Sequence, residues 1–187
     1  DIVVKLPYVY MSGVAASAAK PDIFVFNVSN LSAPVLSATL NIGANGINAL
    51  FLKGNYLYAA SSNDSKEFIV FDISTPANIT EVASLNFPGN DDALSIHGSG
   101  NAVYVGRKES SNPELVVINI TTPTSPTIAT SVETIDDIND ITVTSQRLYL
   151  VSEESNNDLR IYDVASELSP QLLVSYNLTQ GGELTSV

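Results

Sequence analysis

The chain has 187 residues, of which twenty are acidic and eight basic, giving a formal net charge of −12, and it contains no cysteine. This acidity disfavours attraction to nucleic acid or anionic lipid, and the lack of cysteine excludes disulfides, thiolate catalysis and cysteine–metal sites. No apolar run approaches the roughly 20 residues that a membrane-spanning helix needs. We therefore expect no nucleic-acid partner and no membrane insertion.

One pattern of four short strands occurs four times along the chain. The predicted first strands are Asp1–Val4, Ala49–Leu52, Ala93–Ile96 and Asp140–Val143. The second strands, each with a tyrosine, are Val9–Met11, Tyr56–Ala59, Ala102–Val105 and Arg147–Leu150. The third strands, which end in Asp or Asn, are Ile23–Asn27, Phe68–Asp72, Leu115–Asn119 and Leu159–Asp163. After a turn rich in Ser, Thr and Pro come the fourth strands Pro34–Leu40, Ile79–Leu85, Pro126–Val132 and Pro170–Tyr176.

A period of roughly 45 residues with four strands in each unit is typical of a β-propeller. The sequence therefore predicts an all-β fold, a single propeller domain of four tandem four-stranded blades over 1–45, 46–90, 91–137 and 138–187. We expect the second-strand tyrosines to occupy equivalent, partly buried sites; they are Tyr10, Tyr58, Tyr104 and Tyr149. The alanine-rich stretch 14–19 and the acidic stretch 153–158 are predicted loops, the second a solvated tip.

The succession of tyrosine strand, apolar strand ending in Asp and Ser/Thr-Pro turn resembles the LVIVD-repeat family of β-propellers. Phe68–Pro76 is the closest copy and Leu159–Val164 the next, and the resemblance covers essentially the whole chain. Asn27 and Asn119 stand where the family has Asp, but either side chain can cap the turn that follows. The resemblance implies a secreted or surface protein, without implying a reaction.

The two ends of the chain fall at the same phase of a first strand, because Asp1–Val4 and Thr185–Val187 both align with the strand that starts at Asp140. We therefore expect the two termini to contribute few residues to a blade built from strands of both chain ends. A closed four-bladed ring is one interpretation. The favoured one is a segment of a larger propeller or one unit of an assembly, in which exposed strand edges meet protein partners or copies of the same chain.

Six sites fit the N-glycosylation pattern: Asn27, Asn30, Asn63, Asn78, Asn119 and Asn177. Chance supplies roughly three in a chain this rich in Asn, Ser and Thr. The pattern therefore supports a glycoprotein outside the cell only moderately, and turn chemistry explains it equally well. Asn27 and Asn119 are the first choice, because they occupy equivalent turns.

One set of oxygen-bearing side chains is a candidate weak calcium site. Repeat alignment places Asn48, Asp92 and Asn139 at one position, with Asp140 at the next, near the start of the innermost strand. Asn and Asp oxygens suit Ca²⁺. The favoured alternative is a water-filled channel that these side chains solvate. His97, the only histidine, is predicted in an exposed turn in the place of Lys53.

Signals for catalysis are nearly absent, since the chain has no phosphate-binding loop, zinc spacing or nucleophile elbow. We expect no enzyme activity, no catalytic residue and no cofactor apart from calcium. The favoured function is a non-enzymatic extracellular or cell-surface module with a structural, adhesive or assembly role in a filament or surface layer. The alternatives are a propeller domain that binds carbohydrate or peptide, and a fragment of a larger propeller enzyme.

Overall fold

The computed structural model describes residues 1–13, 19–43, 46–134, 136–152, 158–177 and 185–186. These residues form sixteen strands in four antiparallel four-stranded sheets and include no helix, hence none able to cross a membrane. The predicted all-β fold with four-stranded blades is confirmed. Two predicted loops, 14–19 and 153–158, lie outside the described residues except for Ala19 and Asp158. Asp158 is buried, so the prediction of a solvated tip is wrong for this residue.

Each sheet consists of strands that are consecutive in sequence, and we number the sheets as blades 1 to 4. Blade 1 contains β1 (Ile2–Lys5), β2 (Tyr8–Ser12), β3 (Ile23–Asn27) and β4 (Val35–Leu40). Blade 2 contains β5 (Ile47–Lys53), β6 (Tyr56–Ser61), β7 (Phe68–Asp72) and β8 (Thr80–Leu85). Blade 3 contains β9 (Ala93–Ser99), β10 (Ala102–Arg107), β11 (Leu115–Asn119) and β12 (Thr127–Val132). Blade 4 contains β13 (Ile138–Thr144), β14 (Arg147–Ser152), β15 (Leu159–Asp163) and β16 (Gln171–Tyr176).

The antiparallel order places equivalent connections at the same end of every blade. The first-to-second and third-to-fourth strand turns lie at one end, which we call the turn end. The second-to-third strand loops and the connections that leave the fourth strands lie at the opposite end, the loop end. Residues from different repeats can therefore be compared position by position.

The chain forms two compact units, Asp1–Asn90 with blades 1 and 2, and Asp91–Val187 with blades 3 and 4. Within each unit, a face of one blade packs against a face of the next. The first core includes Tyr10, Ile23 and Val25 of blade 1 and Leu57, Ile69 and Phe71 of blade 2. The second includes Tyr104, Leu115 and Val117 of blade 3 and Leu148, Leu150 and Tyr162 of blade 4. Each large side chain buried in this way contributes about 2 kcal/mol.

The four second-strand tyrosines occupy equivalent positions, as predicted, because each lies opposite the corresponding residue of its first strand. Tyr10, Tyr58 and Tyr104 are fully buried, whereas Tyr149 of blade 4 is only half-buried. Burial raises the pKa of both Tyr58 and Tyr104 to about 12. Among the described residues, the face of blade 4 on which Tyr149 lies is therefore less covered than the equivalent faces of the other blades.

Every third strand ends in an Asp or Asn that caps the following turn. The side-chain Oδ1 atom accepts a hydrogen bond from the backbone N–H two residues later, at 2.7 to 2.9 Å, in Asn27, Asp72, Asn119 and Asp163. In blade 2 the bonds from Ser74 hold the pKa of the Asp72 carboxyl below its usual value. The prediction that Asn and Asp are interchangeable at this position is confirmed.

The first strand of blade 3 departs from the predicted alignment. His97 lies within β9 opposite the blade 3 tyrosine, as Phe51 lies opposite the blade 2 tyrosine. The prediction of an exposed turn histidine in the place of Lys53 is therefore wrong. Gly54 in the β5–β6 turn and Gly100 in the β9–β10 turn have similar φ angles of 59° and 52°. Gly100, rather than Gly98, is therefore the equivalent of Gly54.

Candidate functional site

A buried carboxylate stands directly before the third strand of every blade. The four residues are Asp22, Glu67, Glu114 and Asp158. In blades 1 to 3, one carboxylate oxygen accepts the backbone N–H of the residue twenty positions later, at 2.8 Å; these residues are Ile42, Phe87 and Thr134. Hydrogen bonds to a charged acceptor are stronger than neutral ones. The bond therefore ties the start of the third strand to the end of the fourth.

This row of carboxylates was not predicted, although an acidic residue before each third strand is visible in the sequence. The sequence does not show that these four residues are buried, because an acidic residue at a strand end is ordinarily exposed to solvent. We call the row the loop-end carboxylates. In blades 1 to 3 their hydrogen bonds hold the chain just after the fourth strand.

The second unit also contains two buried arginine–aspartate pairs at the loop end. Arg107, at the end of β10, lies 3.2 Å from the Asp91 carboxylate. Arg160, in β15, lies 3.1 Å from the Asp136 carboxylate and also donates to the Thr134 carbonyl. The guanidinium groups therefore hold the connections between strands in place. The sequence analysis did not predict a role for either arginine. Arg107 stands where blades 2 and 4 have a serine, so the repeat pattern does not predict an arginine at that position.

His97 is partly buried within β9. Burial lowers the pKa of His97 below its ordinary value, and this effect outweighs the opposing influences of the Gly98 backbone and the Asp140 charge. Among the residues that the structure describes, no three His, Asp or Glu side chains lie together in a way that could hold a metal ion.

The predicted calcium ligands do not all share one position. Asn48 and Asn139 are equivalent, since each is the extra residue of a β-bulge in its first strand. The corresponding residue of blade 3 is Leu94, so the predicted equivalence of Asp92 is wrong. The error has the same cause as the error at His97, because the predicted alignment of the first strand of blade 3 was shifted by two residues. Asp140 accepts a hydrogen bond from the next backbone N–H. Calcium binding at these residues stays a prediction.

The predicted glycosylation sites lie at both ends of the blades, and all are exposed or half-exposed. Asn27, Asn30, Asn78 and Asn119 lie at the turn end, and Asn63 and Asn177 at the loop end. In the equivalent pair, the Asn27 and Asn119 side chains each accept the hydroxyl of their own sequon at 2.7 Å. The two residues that complete the Asn177 sequon lie outside the described residues. Sugar attachment stays a prediction for all six.

Blade 1 exposes an apolar face. Ile2 is 56% exposed, whereas the equivalent residues Leu50, Ile96 and Ile141 are 4%, 6% and 2% exposed. Val4 and Met11 lie on the same face and are also exposed. Side chains alternate between the two faces of a strand, and the other face of blade 1 packs against blade 2. We call Ile2, Val4 and Met11 the first face.

Blade 4 exposes an apolar face on its opposite side. Val174 and Tyr176 of β16 are 47% and 59% exposed, and they share a face with the half-buried Tyr149 and Ile161. In blade 1 the residues equivalent to Tyr149 and Ile161 are fully buried in the core. We call Tyr149, Ile161, Val174 and Tyr176 the last face. These two faces are the candidate functional surfaces.

Two stretches of the chain, residues 48–86 and 91–134, match the family model described as LVIVD repeat. Blades 2 and 3 therefore resemble LVIVD repeats. The resemblance read from the sequence is thereby confirmed. No curated protein sequence matches the chain.

The chain is similar in fold to several solved structures. A protein from Lactobacillus plantarum has a TM-score of 0.73 at 19% identity, over 88% of this chain and 51% of that one. A proposed 6-phosphogluconolactonase from Bacteroides uniformis has a TM-score of 0.77 at 14% identity, over 94% and 54%. The computationally designed protein Ika8 has a TM-score of 0.72 at 15% identity, over 99% and 50%. The chain thus spans about half the length of each, and the likeness supports the propeller fold alone.

Proposed function

We propose that the chain is a non-enzymatic structural module, located at the cell surface or outside the cell, that joins to further copies of itself through the first and last faces. The observation that carries this proposal is the exposure of Ile2 at a position where the other three blades are almost completely buried. Contiguous exposed apolar side chains on a soluble protein are typical of interaction surfaces.

The partner follows from repeat equivalence. The first face has the position that blade 2 uses to pack on blade 1, and the last face has the position that blade 1 uses to pack on blade 2. The last face of one copy therefore suits the first face of another. Such a contact joins two different surfaces, so it is heterologous and produces a ring or a filament.

The loop-end contacts favour a structural role over catalysis. Glu114, Arg107 and Arg160 are buried, and each is hydrogen-bonded to backbone or to an opposite charge that holds a loop. A general acid or base must instead reach a substrate. The exposed sequons support a location outside the cell, because a glycan requires an exposed site.

Light scattering coupled to size-exclusion chromatography tests the proposal, since a single chain has a mass of 19.9 kDa. We expect larger species at increasing concentration. Ile2→Asp removes the first face and Val174→Asp the last face, so each variant alone should stay monomeric. An equimolar mixture should form dimers that grow no further, because each variant retains one intact face.

The matched control is Leu31→Asp, which places the same charge on a leucine that is 83% exposed in a turn outside both faces. This variant should associate like the unmodified chain. A chain that remains monomeric at every concentration, or association that survives both face variants, would overturn the proposed function.

A further inference from the structure

A pocket opens at the turn end of the first unit, between the β1–β2 turn and the β7–β8 turn. It has a volume of about 170 Å³, and its lining includes Lys5, Pro7, Tyr8, Tyr10, Ile73 and Pro76. A cavity of about 150 Å³ holds a benzene-sized molecule. The pocket therefore has room for one small group with an apolar body.

Two of the polar groups that line this pocket, those of Tyr10 and Lys5, can bind a ligand. The Tyr10 hydroxyl is buried and has no hydrogen-bond partner. The Lys5 ammonium donates to the Gly54 carbonyl at 2.6 Å and to the Asn55 side chain at 2.7 Å. An ammonium group has three N–H donors, so one remains for a ligand. Buried polar groups in proteins ordinarily have a partner, and the Tyr10 hydroxyl therefore marks an interaction still to be made.

The equivalent place in the second unit is filled by a side chain. Glu167 lies four residues after the third strand of blade 4, as Pro76 lies four residues after that of blade 2. The Glu167 carbonyl accepts the Tyr104 hydroxyl at 2.7 Å, and its carboxylate accepts the Asn101 backbone N–H at 2.7 Å. The side chain lies directly over Gly100. The second unit thus shows what occupies this space when it is filled.

The first unit keeps the tyrosine, but its turn residues differ. Pro76 replaces Glu167, and Pro7, which has no N–H, replaces Asn101. Leu6 stands in the place of Gly100, and Leu6, Pro7 and Pro76 line the pocket beside Lys5.

We propose that this pocket binds a carboxylate group, carried by a small free acid or by an acidic side chain of another protein. The Lys5 ammonium supplies the charge-assisted hydrogen bond, which is stronger than a neutral one. The Tyr10 hydroxyl donates to the carboxylate after the neighbouring side chains move to uncover it. Tyr8, Pro7 and Pro76 contact the apolar part of the ligand. The site is independent of the proposed assembly, because none of its residues belongs to the first or last face.

Nuclear magnetic resonance titration of the isotope-labelled chain tests the proposal. Propionate should cause saturable shifts at Lys5, Tyr8 and Tyr10, while propionamide, which has the same shape without the charge, should not. Lys5→Met and Tyr10→Phe should each weaken propionate binding roughly tenfold. Lys66→Met is the matched control, since Lys66 pairs with Glu81 and does not line the pocket.

The decisive variant is Pro76→Glu, which gives the first unit the carboxylate that the second already has. It should abolish propionate binding while the chain stays folded. If a glutamate-containing tripeptide binds more tightly than propionate, the ligand is an acidic side chain of another protein. If propionate binds more tightly, the ligand is a small free acid. Absence of saturation, or binding that is unchanged in Lys5→Met and Pro76→Glu, would overturn the proposal.

Discussion

The Glu114 carboxylate holds Thr134 twice, accepting its backbone N–H at 2.8 Å and its hydroxyl at 3.2 Å. The carbonyl of the same threonine accepts a hydrogen bond from Arg160 of blade 4. Thr134 therefore takes part in the hydrogen bonds that join the third and fourth strands of blade 3 and also in a contact with blade 4. Within the second unit, one residue links the completion of a sheet to the packing of the next sheet.

We expect Glu67→Met to lower the free energy of unfolding by about 1–3 kcal/mol, because the Phe87 N–H then loses its carboxylate acceptor in a buried place. Urea denaturation measures the change. Glu81→Gln is the control, since Glu81 forms a surface ion pair with Lys66 and such pairs contribute about 0–1 kcal/mol. Equal stability of Glu67→Met and the unmodified chain would contradict a stabilising role for the loop-end carboxylates.

Asp136→Asn and Asp163→Asn make the same chemical change in two different surroundings. The first leaves the buried Arg160 charge without its carboxylate, which should cost about 3 kcal/mol or more. The second affects a pair with Arg147 that is about one third exposed, and asparagine can still cap the turn, so the cost should stay below about 1 kcal/mol. Thermal or urea unfolding compares the two, and similar losses would show that burial does not control these pairs.

Tyr104→Phe and Tyr10→Phe separate a bonded hydroxyl from an unbonded one. The Tyr104 hydroxyl donates to the Glu167 carbonyl, so its removal should lower the free energy of unfolding by about 1 kcal/mol. The Tyr10 hydroxyl has no partner, and its removal should leave stability unchanged or slightly higher. Both changes are read from the urea midpoint. A larger loss at Tyr10 would mean that its hydroxyl already has a partner in the unliganded chain.

Stability should decrease as the pH falls below 6.5, because burial lowers the pKa of His97 in the folded chain. The unfolded chain then binds a proton at a higher pH than the folded chain does, which favours unfolding between 6.5 and the lowered pKa. His97→Phe places the equivalent blade 2 residue there and should remove this decrease. The readout is the difference in urea midpoint between variant and parent at pH 7.5, 6.5 and 5.5; a constant difference would exclude His97 as the cause.

Asn27 and Asn119 should carry sugar if the protein is exported through a glycosylating pathway, because their sequons are equivalent and partly exposed. Intact-mass measurement on native material gives the answer. Asn27→Gln and Asn119→Gln should each reduce the mass by one glycan. An unmodified native chain would remove this support for a location outside the cell.

Much of the fold was predictable because each local signal agrees with the repeat. The four third strands have the bounds that the sequence predicted, since a compact apolar run and a terminal Asp or Asn define both ends. The equivalence of the four tyrosines followed from the same period. Burial of Tyr149 did not, because it depends on whether another blade covers the face on which it lies.

The errors arose where spacing varies between repeats. Blade 3 has glycine at both position 98 and position 100, and only Gly100 has the left-handed conformation of the turn. Aligning the wrong glycine moved His97 and Asp92 by two residues, enough to change their structural equivalents. The pocket beside Tyr10 could not be predicted either, since its lining combines residues of the β1–β2 and β7–β8 turns, which are distant in the sequence.

Blades 1 to 3 each contain the bond that completes their own sheet, because a loop-end carboxylate and its backbone partner are only twenty positions apart. Duplicating or deleting one repeat in the gene would therefore leave every other sheet able to close. The effect of such a change would be confined to the blade faces that become neighbours. Blade number can then evolve by whole repeats, while selection for fit acts on the contacts between blades.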